Sequence, residues 1–225
     1  MKNTLFVSLI SLFCLTGLRG QNSNLEISIS KEWRSGPRFN AGEPFRFENT
    51  QALFTDGFQS RLQFNWCIME FGRKKAWRWF VSPNAAYSYY SYTEDEMTQG
   101  ARLKINLSYM APGLNTRLWW RTSKLFGMFG EIGYQRYFLV SSKSYEKDMG
   151  NDTYKPASDP GINENINDLN NFQSLLGLTY GKKHQVLIKS GINISNQHFI
   201  DILEDSNNAY SVAPFVAIGY ILVFD

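Results

Sequence analysis

Apolar and polar residues alternate one for one along most of this chain, and helix spacing is nearly absent. In 61–69, Leu62, Phe64, Trp66 and Ile68 interleave with Arg61, Gln63, Asn65 and Cys67. In 102–109, Leu103, Ile105, Leu107 and Tyr109 interleave with Arg102, Lys104, Asn106 and Ser108. The last segment sets Val212, Pro214, Val216, Ile218, Tyr220, Leu222 and Phe224 against Ser211, Ala213, Ala217 and Gly219, with Phe215 and Ile221 breaking the second face. A period of two puts successive side chains on opposite faces of a strand. The chain is therefore read as all-β. Its 43% hydrophobic and 16% aromatic content excludes a disordered chain. No apolar run reaches the roughly 18 residues of a membrane helix.

Alternation alone also fits a soluble sandwich or barrel with one wet face. Here the polar face is not rich in Lys and Glu. Gly127, Glu131, Gly133 and Gln135 oppose Phe126, Met128, Ile132 and Tyr134. Small residues, amides and scattered charges suit a crowded polar interior under an apolar exterior, the pattern of a transmembrane barrel. Aromatics also gather near strand ends. Trp77, Trp79, Trp119, Trp120, Tyr180 and Tyr220 fall at one level, and Tyr87, Tyr89, Tyr90 and Tyr92 near the other. Such rings favour membrane–water interfaces because they are apolar with polar edges.

Connector lengths alternate as well. Gly72-Arg73-Lys74-Lys75, Arg121-Thr122-Ser123-Lys124 and Gly181-Lys182-Lys183-His184 are short and basic, whereas 35–57, 93–100, 142–169 and 198–208 are longer and more polar. Between them lie eight strands, at 25–33, 58–71, 77–92, 101–120, 125–141, 170–181, 185–197 and 209–224, with both termini on the short-turn side. Pro112-Gly113 is expected to bend or bulge the fourth. Residues 1–20 read as a signal peptide: Lys2, then apolar Leu5 to Leu18, then Gly20 before polar Gln21. Cys14 belongs to that segment. Its removal, with Lys2 and Arg19, lowers the formal charge from +3 to +1 and leaves Cys67 without a disulfide partner. The near-neutral mature chain, 21–225, has no basic run suited to nucleic acid.

Pro112-Gly113-Leu114 running into Leu118-Trp119-Trp120, a basic turn, and Leu125-Phe126-Gly127-Met128-Phe129-Gly130-Glu131-Ile132-Gly133-Tyr134 resembles the small Gram-negative outer-membrane β-barrel domain proteins. The closing Gly219-Tyr220-Ile221-Leu222-Val223-Phe224 is similar to the aromatic-ended strand that barrel-assembly machinery recognises in that family, although Asp225 follows the terminal aromatic. The resemblance covers nearly the whole mature chain. It implies an eight-stranded antiparallel up-and-down transmembrane β-barrel in the cell outer membrane, among lipid and lipopolysaccharide. It implies no reaction.

Chemistry is thinly represented. His184 falls in a short turn. His198, with Asp201 and Glu204 close in sequence, sits where outer-membrane lipid A deacylases and omptin-type proteases hold their sites. The deacylase pattern expects a Ser two residues after the His, and Ile200 stands there, which weakens the enzyme reading, with Ser206 further along. Asp148, Asp152, Asp159, Glu164 and Asp168 enrich 142–169 without the spacing of a calcium loop. No paired Cys or phosphate-binding Gly loop is present, so no metal or cofactor is expected. Glu26, Glu32, Arg61, Arg78, Arg102, Lys104, Glu131 and Lys189 are expected inside, where charges must pair, while Leu62, Phe64, Leu103, Ile105, Leu107, Val216 and Ile218 face lipid. Eight strands leave a lumen that side chains fill. The expectation is a non-enzymatic barrel meeting extracellular or envelope partners through 35–57 and 142–169. Two alternatives stand beside it: a hydrolase using His198, and a secreted soluble barrel enclosing an apolar ligand.

Overall fold

The computed structural model describes residues 23–36, 53–93, 101–148, 153–156, 168–195 and 211–224. Eight long strands and one short one form: β1 Asn24–Gly36, β2 Leu53–Phe71, β3 Trp77–Thr93, β4 Ala101–Arg121, β5 Phe126–Asp148, β6 Lys155–Pro156, β7 Leu169–Gly181, β8 His184–Ser195 and β9 Ser211–Val223. All pairings are antiparallel, and β9 pairs back onto β1, so the long strands close into a ring without a free edge. Closure removes the unpaired edges that a lipid environment would punish. Among the described residues no helix is long and apolar enough to cross a membrane. The β-barrel expectation and the eight-strand count hold, with boundaries shifted by up to seven residues: β2 begins at Leu53 and β5 runs to Asp148, inside the segments expected as the 35–57 and 142–169 connections. The short β6 is an addition that pairs with Tyr145 and Glu146 of β5.

The Phe224 amide donates to the Ser23 carbonyl and the Val223 amide to the Lys183 carbonyl, so the first and last described residues of the barrel lie at the short-turn end. Two of those turns need backbone that glycine adopts readily. Gly72 has φ +81° and packs under Trp77, and Gly181 has φ +136°, with the His184 carbonyl where a Cβ would stand.

Ile27, Leu62, Leu118, Ile132, Leu176, Ile188, Val216 and Ile218 face outward and are exposed. From Trp120 to Met110 the outward positions of β4 span ten residue steps, about 33 Å of strand and, at a tilt near 40°, about 25 Å of barrel height. That is the height of a hydrocarbon core contact band. Water would not tolerate an apolar belt of this extent on a monomer.

Several side chains point opposite to expectation. Ile105, Leu107 and Tyr109 are buried inside, and Lys104, Asn106 and Ser108 alternate with them on the outer face. Trp119 and Tyr90 also point inward, so neither belongs to a girdle. The side chains of Arg102, Leu103 and Tyr92 lie outside the described residues. Pro112 and Gly113 cause no register shift: β4 pairs with β3 in one register from Trp77↔Trp120 to Thr93↔Lys104. The irregularity falls instead between Ser108 and Tyr109, which face Ser141 and Leu139, leaving Val140 as the extra residue of a bulge in β5.

Candidate functional site

The interior is stacked in three layers. Nearest the short turns, Phe80, Trp119, Phe129, Leu175, Leu187, Phe215, Ala217 and Ile221 form an apolar plug. Large rings fit because glycines face them from the next strand. A Cβ at Gly127 would lie 2.5 Å from the Trp119 ring, and one at Gly177 would lie 2.2 Å from the Phe129 ring. The Trp119 indole N–H donates to Thr179 Oγ1 at 3.3 Å, which satisfies its buried donor.

Above the plug lies a charged layer. Arg117 Nη2 reaches Glu26 Oε2 at 2.6 Å and Glu131 Oε2 at 2.5 Å. Lys189 Nζ contacts Glu26 Oε1 at 2.5 Å, and Arg61 Nη1 stands 3.9 Å from Glu131 Oε1. Asn115 Nδ2 and Gln63 Nε2 also donate to Glu131, at 2.6 and 2.9 Å. Gln173 Oε1 accepts from Arg61 Nη1, and Gln59 Oε1 from Arg61 Nη2 at 2.7 Å. Glu32 accepts the Tyr90 hydroxyl at 2.9 Å. The buried cations Arg61, Arg117 and Lys189 equal in number the buried carboxylates Glu26, Glu32 and Glu131. Such a layer is tolerable only because charges and amides pair across the ring. Both carboxylates at its centre are held by cations, and among the described residues no histidine enters the lumen.

Toward the long connections a second apolar layer follows: Ala86, Tyr90, Ile105, Leu107, Tyr109, Ala111, Tyr137 and Leu169. Tyr109 sits edge-on to Tyr90 and Tyr137, with centroids 6.2 and 5.9 Å away. Buried side chains line the lumen at all three levels.

Of the charges expected inside, Glu26, Glu32, Arg61, Glu131 and Lys189 are there, Arg78 lies at the short-turn mouth against Glu70 at 2.8 Å, and Lys104 is outside. Arg117 was not among them, yet it joins the two central carboxylates. Its signal was parity: it stands an even number of residues from Ile105 in one unbroken strand, so both must share a face. An Arg facing lipid at that depth is costly, which places the shared face inside. His198, Asp201 and Glu204 lie outside the described residues, as do Asp152, Asp159 and Glu164, the residues 1–20, and most of 35–57. Asp168 is described, and its carboxylate accepts the Leu139 amide at 3.0 Å. Among the described residues no metal-ligating group of three forms.

On the outer surface, aromatic rings mark two levels. Trp77 stacks on Trp120 at 5.3 Å and on Phe71 at 6.4 Å, with Trp79, Tyr180 and Tyr220 at the same end. Tyr87, Tyr89, Tyr134 and Phe138 mark the other. Between them a hollow of about 480 Å³ opens on the outer face where Thr116, Gly130 and Ser174 are small among Trp79, Leu118, Ile132 and Leu176.

No protein-family model matches the chain, and no curated protein does. Some solved structures are similar to it. The attachment invasion locus protein Ail of Yersinia pestis is 10% identical, with 91% of this chain and 99% of that one covered, at a TM-score of 0.38. Neisserial surface protein A is 10% identical over 89% of this chain and 96% of that one, at 0.44. The outer membrane protease OmpT of Escherichia coli is 9% identical over 92% and 98%, also at 0.44. The fold itself rests on the strand pairings and ring closure above.

Proposed function

We propose that this chain is a non-conducting, non-enzymatic barrel of the Gram-negative outer membrane, whose work is done on its outward surfaces. The barrel lies in the outer membrane with the short turns in the periplasm, and lipid and lipopolysaccharide surround its apolar belt. Its terminal β9 strand serves barrel-assembly machinery, and its long connections meet partners outside the cell.

The observation that carries this reading is the stacked interior. An ion-paired layer between two apolar layers disfavours a continuous aqueous path, and its central carboxylates, Glu26 and Glu131, are held by cations rather than poised for proton transfer.

The test is reconstitution. The purified mature chain should migrate differently on gels before and after heating and remain silent in planar bilayers. A steady ohmic current would overturn the closed lumen. Lipopolysaccharide and peptide substrates should stay intact, and His198→Ala should change nothing. A His198-dependent loss of lipid A acyl chains or cleavage of peptide would decide for the hydrolase.

A further inference from the structure

The short-turn end is rich in basic residues, with Glu70 a carboxylate paired there to Lys75 and Arg78. Residues 72–76, 121–125 and 181–184 include Arg73, Lys74, Lys75, Arg121, Lys124, Lys182 and Lys183 and no Asp or Glu. Between the β4–β5 turn and the neighbouring β7–β8 turn lies a cleft of about 270 Å³. Arg78, Arg121, Lys124, Lys182 and Lys183 line it; Arg78 is already paired with Glu70, so Arg121 and the three lysines supply the basic character of the cleft. The cleft is braced. Arg121 Nε and Nη2 donate to the Ser123 and Lys124 carbonyls, both at 3.2 Å, and Gln185 Nε2 donates to the Lys182 carbonyl at 2.9 Å. Arg78 lies 5.3 Å from the Trp119 ring centroid at the inner wall.

Its lip is apolar. Leu125 and Phe126 border the cleft and are exposed, and Phe126 pairs with outward Tyr180 across the β5–β7 ladder. The Trp77, Trp120, Tyr180 and Tyr220 girdle puts this end at headgroup depth. A basic cleft with an apolar lip at that depth matches an amphiphile: an anionic head joined to an acyl chain. A free anion would need the cations but not the lip.

We propose that this cleft binds the phosphodiester headgroup of an anionic phospholipid of the periplasmic leaflet, its chain running along Phe126 and Tyr180. The proposal rests on the membrane reading above. It is tested with the mature chain folded into phosphatidylcholine vesicles carrying spin-labelled phosphatidylglycerol or spin-labelled phosphatidylcholine. Phosphatidylglycerol should be preferred in the motionally restricted shell by roughly ten-fold. The variant Lys124→Gln/Lys182→Gln/Lys183→Gln should bring that to within about two-fold, while Arg73→Gln/Lys74→Gln/Lys75→Gln, on the other turn, should keep most of it. Retention of the preference in the cleft variant overturns the site. Equal loss in both variants overturns it in favour of diffuse charge. Abolition by inorganic phosphate, but not by chloride of equal ionic strength, overturns the lipid as ligand. Heat-modifiable migration is followed in every sample. Failure of the wild type to enter vesicles overturns the membrane reading together with the site, whereas normal insertion without lipid preference overturns the site alone.

Discussion

The two halves of β4 are built on opposite rules. Between Gly113 and Arg121, polar Asn115 and Arg117 point into the lumen, with Trp119 as the apolar exception at the plug, and Leu114, Leu118 and Trp120 point out. Between Lys104 and Ala111, Ile105, Leu107 and Tyr109 point in, and Lys104, Asn106 and Ser108 point out. The strand runs unbroken in one register against β3, so the in-facing parity never changes. What changes is the surroundings. The first half lies at the level of the apolar belt, where exterior side chains meet lipid. The second lies beyond the belt, where the outer face makes polar contacts: Ser91 Oγ donates to Asn106 Oδ1 at 2.9 Å, and Tyr87 Oη donates to Ser108 Oγ at 3.0 Å. There the barrel follows the ordinary rule of a water-facing sheet, apolar inside. Alternation reports the contrast between two faces, and the medium outside decides its sign.

The strongest way to break the membrane-level half is to unbalance its interior. Arg117→Met leaves Glu26 with Lys189 alone and takes from Glu131 its shortest ion pair. Removing one partner of a buried network costs about 3 to 5 kcal/mol, so the urea midpoint of the folded, heat-modifiable form should fall sharply. A midpoint within error of wild type would mean that the charged layer contributes nothing to the fold.

This residue also marks where sequence stopped being legible. Strand number, short basic turns, the outward faces of β5 and β9, and most lumen charges follow from alternation and connector length, because both are local. The sign of alternation in 102–109 does not follow, since Leu103, Ile105 and Leu107 read the same beside lipid as inside an apolar layer. Only a distant residue fixes it. Arg117 shares the parity of Ile105, and the bulge at Val140 lies on the partner strand, so neither Pro112 nor Gly113 resets the count. The candidate catalytic group at His198, Asp201 and Glu204 lies outside the described residues and is tested only by substitution.

Sharpening the lipid side calls for a charge at mid-belt. Leu176 is 74% exposed, faces outward and pairs with Gly130. Leu176→Arg should cost about 2 to 4 kcal/mol in vesicles, measured by the urea midpoint. An effect under about 0.5 kcal/mol would place this face in water.

A smaller loss tests interior packing at the same level. A Cβ on Gly133 would stand 1.9 Å from Oδ1 of Asn115, the side chain whose Nδ2 donates to Glu131. Gly133→Ala should cost about 1 to 3 kcal/mol by overpacking, and Gly130→Ala, whose Cβ would meet only Leu176 at 3.6 Å, should be near neutral. Equal effects at the two glycines would deny that 133 faces a crowded lumen.

The smallest energetic effect carries the finest distinction between the halves of β4. Substituting Arg at Ile105 and at Asn106 cannot separate the two facings. Ile105→Arg is harmful whether Ile105 faces lipid or the aromatic layer, and Asn106→Arg is milder either way. Accessibility does separate them. In a Cys67→Ala background, Asn106→Cys should change stability by no more than about 1 kcal/mol, the loss of its half-buried hydrogen bond from Ser91 included. It should react quickly with a membrane-impermeant maleimide added to intact vesicles or cells. Ile105→Cys, packed among Leu107, Tyr109 and Tyr137, should stay unlabelled until the barrel is unfolded. Leu176→Cys should also resist the aqueous reagent while accepting a lipid-soluble one. Rapid aqueous labelling at 105 with protection at 106 would reverse the facing of the outer half of β4 and, because Arg117 shares the parity of Ile105, would turn Arg117 out of the lumen.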